Sequence, residues 1–123
     1  MEPKLIKLSE QPMRVLDEGI LLKILLDKEA GTSAIALGWM EFAPRTSTSE
    51  HSRDVEEVIY VVKGQATIHT AVASYKMNAG DCIYIPPGIR HRHANDSDEP
   101  ANQLYLFVPH GPAPALRDLK IIS

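Results

Sequence analysis

Apolar residues in this sequence come in short runs rich in Ile, Val and Tyr, cut off by Gly, Pro, Asn and Asp before an amphipathic helix could form. The runs at 20–27, 34–43, 58–62, 66–70, 82–85 and 104–108 read as strands. Lys63-Gly64 and Asn78-Ala79-Gly80-Asp81 read as tight turns, and Pro86-Pro87-Gly88 as a stiff loop. No βαβ alternation is present. About six to nine short strands in a chain of this size must close on themselves or stack as two sheets to manage their edges, which predicts an all-β sandwich or small barrel.

Bulk properties narrow the class. A length of 123 residues suits one domain spanning 1–123 and is too short for two. A net charge of −3, with no basic run, argues against nucleic acid as a partner. The longest apolar stretch, residues 19–27, is interrupted by Lys23 and is too short for a membrane span. The first residues lack the apolar core of a signal peptide, and the single cysteine, Cys82, excludes an intramolecular disulfide. A cytoplasmic protein with no membrane partner is the expectation.

Two segments carry candidate chemistry. "SEHSRDVEEVIYVVKG" (49–64) holds His51, Arg53, Glu56 and Glu57, and "GDCIYIPPGIRHRHAN" (80–95) holds His91 and His93. Residues two apart on a strand share a face, so His91 and His93 project together, and Glu57 lies on the face of Ile59 and Val61. Imidazole and carboxylate together suit Zn, Mn, Fe, Ni or Co.

The spacing of these residues resembles the two motifs of the cupin superfamily, G-x5-H-x-H-x3–4-E-x6-G and G-x5-P-x-G-x2-H-x3-N. The second motif (80–95) is matched in full by Gly80, Pro86, Gly88, His91 and Asn95. In the first (45–64), His51, Glu57 and Gly64 fit, while Arg45 stands at the leading glycine and Arg53 at the second histidine. A register using Ser49, His51 and Glu56 misplaces the closing glycine and gains no histidine. The resemblance implies a small single-domain cupin, a double-stranded β-helix or jelly-roll β-barrel, with His51, Glu57 and His91 as ligands of a divalent metal such as Fe, Zn, Mn or Ni. Asn95 and Gly88 then hold the second motif's loop. Family habit also implies a homodimer, and the apolar run "ILLKILL" is read as an edge strand available for it.

Arg53 is the departure. A guanidinium neither ligates a cation nor loses its proton. At ~5 Å its charge costs a divalent ion roughly several kcal/mol at an effective dielectric near 20. Three readings stay open. Arg53 clamps an anionic substrate, or His93 replaces the missing imidazole, or no metal binds and Arg53 pairs with Glu57 beside an organic ligand. Two functions follow: a metal-dependent enzyme (dioxygenase, isomerase or lyase) acting on a small anionic substrate, or a metal-free barrel that binds a sugar or acid.

Elsewhere the expectations are plainer. Tyr60, Tyr84, Tyr105 and Phe107 should pack the core, with Tyr60 and Tyr105 also candidates for pocket hydroxyls. One of Trp39 and Met40 should face the cavity. His69 and His110 should be exposed, Cys82 buried, and the proline-rich stretch 109–118 should run over the surface.

Overall fold

A computed structural model of the chain describes residues 2–122. It contains ten strands: β1 (Arg14–Asp17), β2 (Ile20–Leu26), β3 (Ala36–Phe42), β4 (Thr46–Ser47), β5 (Glu56–Lys63), β6 (Gln65–Thr70), β7 (Ser74–Asn78), β8 (Cys82–Ile85), β9 (His91–Asn95) and β10 (Ala101–Val108). A short helix, α1 (Ala113–Leu116), follows. The strands form an antiparallel six-stranded sheet, β1-β2-β3-β10-β5-β8, facing a four-stranded sheet, β4-β9-β6-β7. This is the expected jelly-roll barrel.

All six strand runs read from the sequence are present. The four that were not, β1, β4, β7 and β9, are polar ("RVLD", "TS", "SYKMN", "HRHAN"), so composition hides them. β1 also takes the edge position assigned to "ILLKILL". β2 is an inner strand, paired to β1 on one side and β3 on the other.

Period-two alternation builds the interior. Ala36, Met40 and Phe42 of β3, Ile59 and Val61 of β5, and Tyr105 and Phe107 of β10 all point inward and are buried. The same alternation turns Trp39 outward, where its indole donates to Glu41 Oε2 at 3.0 Å, and leaves Met40 inside. It likewise puts Cys82, Tyr60 and Tyr84 on the outer face, correcting their expected burial. Gly64 closes the β5–β6 hairpin at φ 78°, and a Cβ there would lie 2.6 Å from the Pro100 carbonyl oxygen, so only glycine fits.

Asn95 is fully buried and ties the end of β9 to its neighbours. Its amide donates to the carbonyls of Phe42, Ala43 and Glu99, and its oxygen accepts from Ser97. Asn95→Ala should lower stability by about 2 kcal/mol, because it strands buried carbonyls, and a urea titration reads this directly. An unchanged midpoint would show that the network carries no weight.

The C-terminal stretch departs most from its reading. Asp27, 3% exposed, accepts two bonds from Arg117 at 2.7 and 2.8 Å, and Arg14 donates to the carbonyls of Arg117 and Leu119. These charge-assisted bonds draw 109–118 across the barrel mouth, burying Ala113.

Candidate metal centre

β5, β9 and the segment before β5 deliver four side chains to one point. Glu57 lies opposite Phe107 on one side and Ile85 on the other, at the inward end of β5. His91 and His93 share the inward face of β9, as period two requires. His51 is fixed to His91 by reciprocal main-chain bonds of 2.8 and 2.7 Å. Thr48 holds His93 similarly: its N–H donates to the His93 carbonyl at 2.9 Å, and its hydroxyl oxygen accepts from the His93 N–H at 3.0 Å. The two motifs thus meet through backbone contacts before any side chain contributes.

One ligand-type atom from each of His51, Glu57, His91 and His93 lies within 4.8 Å of all the others. The three imidazoles pack with ring centroids 4.5 to 5.3 Å apart. The Nδ1–H of His51 donates to the Ser49 carbonyl at 2.9 Å, and that of His91 to the Ile89 carbonyl at 2.8 Å. A backbone carbonyl can only accept, so each ring carries its proton on Nδ1 and turns an Nε2 lone pair toward the cluster when neutral. His91 Nε2 lies 3.4 Å from Glu57 Oε1, and His93 Nε2 lies 3.2 Å from Glu57 Oε2. Yet Glu57 Oε1, His91 Nε2 and His93 Nδ1 are buried without a hydrogen-bond partner. Convergent, unpaired lone pairs of this kind fit a divalent cation.

The electrostatics agree. Burial pushes the Glu57 carboxyl up, but His91 and His93 outweigh it and bring it down to about 2, so it is ionised at every physiological pH. Burial pulls His91 down, but Glu57 and the Ile89 carbonyl raise it above its ordinary value overall. Burial, aided by the charges of Arg53, His93 and His91, depresses His51 to about 4.

Around the cluster lies a cavity of about 50 Å³, whose lining includes Leu22, Met40, Thr48, Arg53, Tyr105, Phe107, Pro112 and Leu116. Tyr105 is 3% exposed, and burial raises its hydroxyl above the ordinary value, so it stays protonated. Tyr60, the other candidate hydroxyl, is 43% exposed on the far face of β5 and does not reach the cavity. Arg53 lines the cavity but forms no ion pair with Glu57 or any other described residue. The Arg53–Glu57 pair expected of a metal-free site is therefore not formed, and both histidines of β9 take the carboxylate instead.

Arg45 and Glu56 both fit the register that uses Glu57. Arg45, at the leading glycine position of the first motif, adopts φ 58°, the left-handed region that favours glycine. Glu56 is exposed and accepts from the Tyr84 hydroxyl at 2.8 Å, away from the cluster. His69 engages Ser74 and Asp96, both at 2.7 Å, and His110 meets Thr32 at 3.2 Å. Both rings are half-buried between neighbouring segments rather than exposed as expected. Among the cavity walls that the sequence did not reveal, Pro112 and Leu116 belong to the proline-rich stretch, where no pattern signalled burial.

No described helix is long and apolar enough to cross a membrane. Among known proteins, a protein named polyketide synthase CurC from Streptomyces cyaneus is 27% identical over 94% of this chain and 76% of its own length. The solved structure of the polyketide cyclase RemF from Streptomyces resistomycificus superposes with a TM-score of 0.80 at 20% identity, covering 90% of this chain and 82% of that one. KdgF from a Halomonas species superposes with a TM-score of 0.77 at 17% identity, covering 88% and 94%. The profile of the Cupin domain family matches residues 38–107, a span that holds both motifs and all four clustered side chains. By that match, and by the barrel that carries it, this chain belongs to the cupin family.

Proposed function

We propose that the protein is a metal-dependent enzyme in which His51, Glu57, His91 and His93 bind one divalent ion beside a small oxygen-bearing substrate. The observation carrying this reading is the pair of Nδ1 protons locked onto the Ser49 and Ile89 carbonyls, which frees both Nε2 atoms for a metal and leaves that of His91 buried and unpaired beside an ionised carboxylate. His93 takes the place of the imidazole that the first motif lacks, so the set is again three histidines and a glutamate. Bound there, a divalent ion supplies Lewis-acid polarisation of a carbonyl or carboxylate oxygen. The chain's own groups do the rest. Leu22, Met40, Phe107 and Leu116 exclude water, which strengthens every electrostatic interaction inside. Tyr105 offers a hydroxyl that stays protonated, and Arg53 a fixed positive charge for an anionic oxygen.

Isomerase, lyase or cyclase chemistry on an oxo substrate suits this set. The similarity to proteins with polyketide names supports that direction, since such molecules carry repeated carbonyls on an apolar chain. The alternative, a metal-free binding barrel, draws support from the charge pairing of His91 with Glu57.

Elemental analysis of untagged protein, grown with iron, zinc, manganese and nickel supplied, separates the two. About one equivalent of one metal, lost in His51→Ala, is the expected result. Less than about a tenth of an equivalent, with none gained on titration, would favour the metal-free barrel. Affinity should also rise with pH, because His91 must shed a proton whose pKa is raised. His51, depressed to about 4, competes only in acid. A flat profile between pH 5 and 8 in zinc competition titrations would remove His91 from the ligand set.

A further inference from the structure

Arg53 and Pro112 are the two residues that line both the inner cavity and a second, outer depression of about 450 Å³, whose other walls are Ser52, Asp54, Val55 and Gly111. The inner space is about 50 Å³, room for only a few waters or the end of a molecule. The outer one is far larger and open. Arg53 Nε is buried and has no hydrogen-bond partner, and Arg53 has no ion pair among the described residues, not even with the neighbouring Asp54. A guanidinium held this way, with a buried donor unmatched, is an uncompensated group that an incoming anion would satisfy. Its backbone is held in turn, since the Gly88 N–H donates to the Arg53 carbonyl at 2.8 Å.

We infer that Arg53 and Pro112 form a portal that selects a carboxylate-bearing, elongated substrate. The reacting end enters the inner cavity, the carboxylate is gripped by the Arg53 fork, and the rest of the molecule lies in the outer depression. This rests on the metal-centre reading only for where the reacting end goes. The charge selection belongs to Arg53 itself, because a planar guanidinium binds carboxylate through two parallel bonds. It makes Arg53 a specificity-determining residue and gives the substrate two required features, an acid group near the reacting carbonyl and an extension beyond it.

Calorimetric titration of the full chain, zinc-free and zinc-loaded, with propanoate, hexanoate and the neutral hexanamide tests this. Hexanoate should bind at least about tenfold tighter than hexanamide, and Arg53→Gln should erase that preference in both forms. Zinc affinity should be retained or raised in Arg53→Gln, since a positive charge leaves the vicinity. Arg53→Lys, which keeps the charge but not the fork, should fall between the two and serves if the glutamine variant does not fold. Ser52→Trp, at an exposed wall of the outer depression, should abolish the gain from propanoate to hexanoate while leaving propanoate binding intact. Hexanoate binding that survives Arg53→Gln, equal binding of acid and amide, or no carboxylate binding by protein that takes up zinc normally would each overturn the portal. Loss of zinc binding with Arg53-dependent hexanoate binding intact would instead sink the metal reading and leave the portal standing.

Discussion

Glu57→Gln is expected to lower divalent-metal affinity at least a hundredfold, since even partners one step outside a metal's ligands are worth roughly ten- to a hundredfold. The same change should destabilise the metal-free protein by about 3 kcal/mol, because it removes the buried charge that His91 and His93 face. The Glu57 and His91 contributions to that stability differ in pH dependence. Glu57 is lowered from 4.5 to about 2, so its stabilisation is complete above pH 4.5 and disappears as pH falls toward 2. His91 is raised above 6.5, so its stabilisation is complete below pH 6.5 and disappears as pH rises through the raised value. The stability gap between wild type and Glu57→Gln, without metal, should therefore be widest between pH 4.5 and 6.5. Urea titrations across pH 3 to 9 would trace it. A gap that keeps growing above neutrality would mean that His91 is not the partner.

Gly38→Ala should cost about 3 kcal/mol or more, a large effect for one methyl group. Gly38 faces inward on β3, opposite Tyr105 on β10, and the Tyr105 ring lies across the bare backbone. A Cβ on Gly38 would fall 2.1 Å from ring atoms of Tyr105. The ring cannot retreat freely, because it is buried and packs against Phe107 with centroids 5.1 Å apart. Its remaining direction is into the cavity it lines, so the variant should lose ligand space as well as stability. Adding Tyr105→Leu should recover part of the loss, with a coupling of roughly 1–3 kcal/mol in the double-mutant cycle. Strictly additive effects would show that the strain lies elsewhere.

The barrel was legible in the sequence because strand alternation and motif spacing are local. Gly80, Pro86, Gly88 and Asn95 fix one loop, and the choice of Glu57 over Glu56 follows from the six-residue spacing to Gly64, with the buried face of Ile59 agreeing. His93 could be placed on the right face of β9, but its distance from Glu57 depends on how β9 registers against β4 and β6, which no local pattern encodes. Polar strands hid for a related reason. "HRHAN" looks like surface until a barrel closes over it, and Gln103 sits inside, 2% exposed, its side-chain amide donating to Met40 Sδ at 3.7 Å. The C-terminal cover was invisible because the Asp27–Arg117 pair spans 90 positions.

The main-chain bonds joining His51 to His91 hold their backbones together whatever side chains they carry. A frame held by its peptide groups is indifferent to which facing segment supplies a given imidazole. On the proposed ligand set, Arg53 before β5 and His93 on β9 have exchanged duties across neighbouring segments. Such a barrel can relocate one member of its site without dismantling the rest, freeing the old position for a new task. For a laboratory seeking altered chemistry, paired substitutions across this seam should preserve folding better than the same number of changes along either segment.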